Sequence, residues 1–99
     1  MEPLRPRAIP PKVQARLDTL ERQLARYVAK VLPPATSAPQ VKRRQTYRRR
    51  VLGDFLRLMR CVREHGHEGG WRRTPLTADD EDRRETLLRQ MEATDAPLS

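Results

Sequence analysis

The chain has 99 residues, a formal net charge of +8, 34% charged and 36% apolar residues, and four aromatics. With Pro-rich, polar ends, about 60 to 80 residues remain to pack, which excludes more than one small, thin-cored domain. The single cysteine, Cys61, excludes an internal disulfide framework, and no apolar run approaches the ~20 residues of a bilayer span.

Residues 1–11 read as an extended arm, because Pro3, Pro6, Pro10 and Pro11 remove donors and bias their predecessors away from helix. The arm is Arg-containing and poor in acids, which leaves the mitochondrial matrix open as a compartment beside the cytoplasm. In "KVQARLDTLERQLARYVAKVL", Val13, Leu17, Leu20, Leu24, Tyr27 and Val31 step by alternating fours and threes. That spacing predicts a helix over about 12–32 with one apolar stripe. The stripe is too short for a long coiled coil, so a partner helix within the chain is expected. "PPATSAP" breaks the helix before a second over about 40–65, whose apolar set is Val51, Leu52, Phe55, Leu56, Leu58, Met59 and Val62, with Gly66 as its stop. "GHEGGWRRTPL" is a loop. A short third helix is expected over about 78–92, with Asp79, Asp80, Glu81 and Asp82 at its positive end and Leu87, Leu88 and Met91 as its apolar patch. The fold class is therefore all-α: an antiparallel helical hairpin plus a short C-terminal helix, forming one domain over 12–92. Residues 93–99 read as a disordered tail.

Charge is unevenly distributed. Residues 1–78 carry 18 Lys/Arg against six acids, whereas residues 79–99 carry three Arg against seven acids. Of the 21 cations, 18 are Arg, and the guanidinium fork matches phosphate oxygens better than an ammonium does. At about 100° per residue, Lys42, Arg49, Arg57 and Arg60 share a stripe outside the apolar arc of the second helix, with Arg50 at its margin. Gly53 falls in mid-stripe, where a missing side chain offers a sugar-phosphate strand close approach to the backbone; the plainer reading is a bend or a tolerated weakness. Arg44 and Arg48 fall inside the arc that is apolar later in the helix, where an unpaired burial would be expensive. With Arg43 beside them, the first turns are expected to protrude beyond the core, cationic on every side, and to meet an anionic partner.

Arg22, Arg26 and Lys30 form a second ridge on the first helix, and Arg72 and Arg73 add cations in the loop. Trp71, in "GGWRR", is placed to stack on a base or enter a partner's pocket, or else to fold back over the helical core. The acidic segment 79–99 is also expected to cover the Arg-rich stripe when nucleic acid is absent.

Catalysis finds little support. Cys61, His65 and His67 supply at most three metal ligands where a structural zinc takes four, and no group orients Cys61 as a nucleophile. There is no Gly-rich phosphate loop and no nucleophile elbow. No enzyme activity, metal, cofactor, small-molecule substrate or membrane partner is expected. "RRRVLGDFLRLMR" resembles, over about a dozen residues, the basic run of helical-hairpin ribosomal proteins that leads into an L-x-D-Y-L-K pattern. "PPATSAP" stands where such a protein would have a His- and Asp-containing turn, so the resemblance assigns no residue a role.

The expectation is a small, non-catalytic RNA-binding subunit or assembly factor of a ribonucleoprotein, the mitochondrial ribosome being one candidate. It would grip structured RNA by its phosphates through Lys42, Arg43, Arg44, Arg48, Arg49, Arg50, Arg57, Arg60, Arg72 and Arg73, beside neighbouring proteins of the assembly. The alternative is a helical adaptor docked inside a protein complex without nucleic acid.

Overall fold

The computed structural model describes residues 9–95, and these form three α-helices with no strand among them. Most of the arm expected over 1–11 and the last four residues of the expected tail lie outside the described residues.

Helix α1 spans Pro11–Ala29, opening on Pro11 in the first turn, where a missing N–H is of no consequence. It buries Leu17, Leu20 and Leu24 and ends three residues earlier than the apolar spacing suggests. The extended bias before Pro33–Pro34 reaches back through residues 30–32. Val31 is consequently 69% exposed, and Val28 packs at the core edge instead.

Helix α2 spans Ala38–His65 and is about 42 Å long at the standard rise per residue. The Ser37 hydroxyl accepts from the Gln40 amide at 3.3 Å, capping its start. Its end is set by Gly66 in the left-handed region (φ 72°), whose amide donates to Val62 O at 2.9 Å. A single-turn 3-10 segment, Trp71–Arg73, packs against α2 and leads into α3, Ala78–Thr94. Thr77 and Asp80 close a reciprocal capping box at the start of α3, and Asp79, Asp80 and Glu81 occupy its first turn, as the charge pattern implied.

One core holds the three helices. Leu17, Leu20 and Leu24 from α1, Leu52, Leu56, Met59 and Val62 from α2, and Leu88 and Met91 from α3 are buried together. Tyr27 meets Phe55 with ring centroids 6.1 Å apart, and Val13 faces Gly66, so α1 and α2 run antiparallel. Arg60 meets Asp80 while Arg48 meets Asp95, so α3 is antiparallel to α2 as well. Arg83 of α3 grips Glu21 of α1 with two bonds of 3.0 and 2.7 Å. The buried α2 aliphatics lie between Leu52 and Val62, so the first turns of α2 extend past the core, as the sequence predicts.

Candidate nucleic-acid interface

The ten expected phosphate-binding cations fall into two classes that their shared residue type conceals. Four meet carboxylates of their own chain. Arg48 is 2% exposed and bonds Asp95 through both terminal nitrogens, at 2.6 and 2.8 Å. Arg49 holds Glu85 through Nε and Nη2 at 3.0 and 3.2 Å, but both side chains remain partly in solvent. Arg60 is gripped by Asp80 and Glu64, and Arg57 lies 3.5 Å from Asp54.

These pairs correct the sequence-based site in two respects. The conflict of a cation on the apolar face of α2 is resolved for Arg48 by Asp95, not by an external anion. Asp95 follows directly on Thr94, in a stretch the sequence suggested was frayed, where α3 instead continues in order. Gly53 is buried, and what approaches it is Arg84: a Cβ built there would stand 3.3 Å from Arg84 Nη1 and 3.4 Å from Arg57 Nη1. The glycine in mid-stripe therefore accommodates an α3 side chain in this arrangement.

The electrostatics follow the pairing. Hydrogen bonding from Arg48 holds the Asp95 carboxyl below the usual carboxylate range, against the opposing effect of burial. Arg60 does the same for Asp80, which also accepts the capping bond from Thr77. Reciprocally, bonds to Asp80 and Glu64 raise the affinity of Arg60 for its proton. The acidic segment does lie over much of the α2 stripe, as expected, but it also delivers Leu88 and Met91 to the core, so its role is structural as well as electrostatic.

The remaining six cations make no ion pair among the described residues. Lys42, Arg43, Arg44 and Arg50 cluster on the leading turns of α2. An open groove there is lined by Pro39, Lys42, Arg43, Thr46, Tyr47 and Arg50, and the Arg50 guanidinium sits 5.4 Å from the Tyr47 ring centroid. Arg72 and Arg73 stand near the other end of α2, on the order of 30 Å away along the helix. Trp71 is half-buried in the 3-10 turn beside α2, with the Arg72 guanidinium 5.3 Å from its ring centroid. On α1, Arg26 and Lys30 are exposed and make no ion pair among the described residues either.

Cys61 is buried, its sulfur 3.3 Å from His67 O and 3.4 Å from Gly69 O, which ties the loop to α2. No described helix is long and apolar enough to cross a membrane. No protein-family model, curated protein or solved structure matches the chain.

One feature near these cations was missed in the sequence. Tyr27, Leu32 and Met91, from three separate segments, line a cavity with Tyr47 and Arg48. Tyr27 and Met91 read as ordinary members of apolar stripes, and only their convergence beside α2 sets them apart.

Proposed function

We propose that the protein is a small, non-catalytic RNA-binding subunit or assembly factor of a ribonucleoprotein, gripping phosphates with the leading turns of α2. The observation that carries this reading is the contrast within one helix. Lys42, Arg43 and Arg44 crowd the first turns, with Arg50 further along, and none makes an ion pair among the described residues, while Arg48, Arg49, Arg57 and Arg60 are each met by a carboxylate of the chain. Like charges at helical spacing repel, so those turns are stabilised by an external polyanion. Arg in place of Lys favours phosphate, and the eight-residue connection over 30–37 is about twice the 3–4-residue turn of a helix-turn-helix, which favours RNA over duplex DNA. A reducing compartment, the mitochondrial matrix or the cytoplasm, suits the free Cys61.

Titrating the full chain with RNA across salt concentrations tests the reading: several phosphate contacts give a steep negative slope of log affinity against log salt. Replacing Lys42, Arg43 and Arg50 together by Gln is expected to flatten that slope by roughly 2, at about 0.7 per single-strand phosphate contact. The same exchange at Arg49, Arg57 and Arg60 is expected to change it far less. A flat slope for the unmodified chain refutes the proposal. That result would favour the second reading, a helical adaptor in a protein complex, which has its own support in the shallow apolar groove formed by Leu24, Ala25, Val28 and Leu87 between α1 and α3.

A further inference from the structure

Beside the free cations of α2 lies a cavity of about 120 Å³. Its walls are largely apolar: Tyr27 and Leu32 come from α1 and the segment after it, Met91 from α3, and Tyr47 from α2. Two exposed or half-exposed cations, Lys30 and Arg44, also line it, and neither makes an ion pair among the described residues. Arg48 completes the lining. Its terminal nitrogens are committed to Asp95, yet its Nε–H is buried with no hydrogen-bond partner. That Nε exposes essentially no surface, so it lies behind the lining and is not offered to the cavity. The Tyr27 hydroxyl, in a half-buried residue of the lining, makes no hydrogen bond among the described residues.

Size and surroundings narrow the occupant. The volume is well under the ~300–1,000 Å³ of a pocket for a drug-sized ligand, and is about four times the ~30 Å³ share of one water. It suits a single planar ring system. Tyr47 borders both this cavity and the open groove of Lys42, Arg43 and Arg50, so the two are immediate neighbours. At 54% exposure the Tyr47 ring can stack on a base, sharing or displacing the Arg50 guanidinium that lies over it.

We propose that this cavity receives one unstacked nucleobase of a bound RNA strand, whose flanking phosphates rest on Lys30 and Arg44 at the mouth and on Lys42, Arg43 and Arg50 along the groove. The inference rests on the RNA reading above and adds to it the recognition of an unpaired nucleotide, as in a loop or bulge, where bases are free to splay out and stack on aromatic side chains. The Tyr27 hydroxyl is the polar group available to the edge of the base. A hydroxyl both donates and accepts, which suits the alternating carbonyl and N–H edge of a single-ring base, so uracil is the natural probe.

The test compares a single-stranded oligouridylate with an oligomer of equal length that keeps the ribose-phosphate backbone but lacks its bases, each titrated against the full chain. The abasic strand is expected to bind about 10- to 100-fold more weakly, the range of one or two stacked bases. Tyr47→Ala should bring oligouridylate down to the abasic level, with Tyr47→Phe restoring most of the difference. The Met91 methyl resonance should move upfield only with the base-containing strand. Equal affinity for both strands, with a steep salt slope, overturns the base pocket and leaves the phosphate reading intact. Binding of neither strand defeats both. Uridine 5′-monophosphate binding as tightly as the strand would assign the cavity to free nucleotides and overturn the RNA source.

Discussion

The two halves of α2 are both rich in arginine and end up in opposite electrostatic states. Before about residue 47, Lys42, Arg43 and Arg44 make no ion pair among the described residues, although Arg44 stands near enough to Asp95 to help hold its carboxyl low; from Arg48 to Arg60, α3 and the acids of α2 itself supply a partner to every arginine but Arg50. Charge density along a helix therefore does not measure the charge a protein offers to a ligand. What matters is which cations the folded chain has already neutralised, and at what exposure. Arg48–Asp95 is largely desolvated, whereas Arg49–Glu85 is half in water and open to exchange for a phosphate.

The largest expected effect sharpens that contrast. Arg48→Ala should destabilise the fold by about 3 kcal/mol, since it strips the partner from Asp95 and leaves a hole in the core face, with Asp95's residual exposure keeping the loss at the low end of the range for broken buried pairs. Arg43→Ala should stay within about 0.5 kcal/mol, as an exposed residue without partners does. Urea denaturation measures both, and equal effects would erase the distinction between the two halves. The pH dependence carries the same signature. The folded-state pKa of Asp95 is depressed, so its contribution is present above the ordinary carboxylate value near 4 and is lost as pH falls through the folded value. The stability gap between the unmodified chain and Asp95→Asn should accordingly narrow between neutral pH and about pH 3.

A smaller effect is expected at Gly53. A methyl group there meets the far end of the flexible Arg84 side chain, which is able to shift by a few tenths of an ångström. Gly53→Ala is therefore expected to raise stability by about 0.5–1 kcal/mol through helix propensity, with RNA affinity unchanged. A loss of affinity without a loss of stability would restore Gly53 as a point of strand approach. The smallest effect concerns the exposed pair: Glu85→Gln releases Arg49, so polyanion affinity should rise roughly two- to threefold while stability stays within about 0.5 kcal/mol. This substitution probes the covering role of the acidic segment better than deletion of residues 79–99, which would also take Leu88 and Met91 from the core.

Much of the architecture was legible because it is written in short-range periodicity. The alternating fours and threes of Leu17, Leu20 and Leu24, the cluster from Leu52 to Val62, the Gly66 stop and the acidic first turn of α3 each depend on residues within a few turns of one another, and all appear where spacing put them. Boundaries were less legible where two local signals competed, as at Val31, where the apolar rhythm lost to the prolines that follow. The site was legible only in its leading turns. Whether Arg48 and Arg49 are free or taken depends on Asp95 and Glu85, 47 and 36 residues further on, and helical phase in one segment carries no information about them.

The sequence by itself determined three helices, their apolar faces and a surplus of guanidinium groups at the start of α2, because each follows from residue type and a fixed angular step. Only the tertiary structure decided which of those groups remain unneutralised and that Tyr27, Leu32, Tyr47, Arg48 and Met91 enclose one small cavity. Neutralisation and enclosure are properties of distances between segments, and those distances exist only once the core has drawn the helices together.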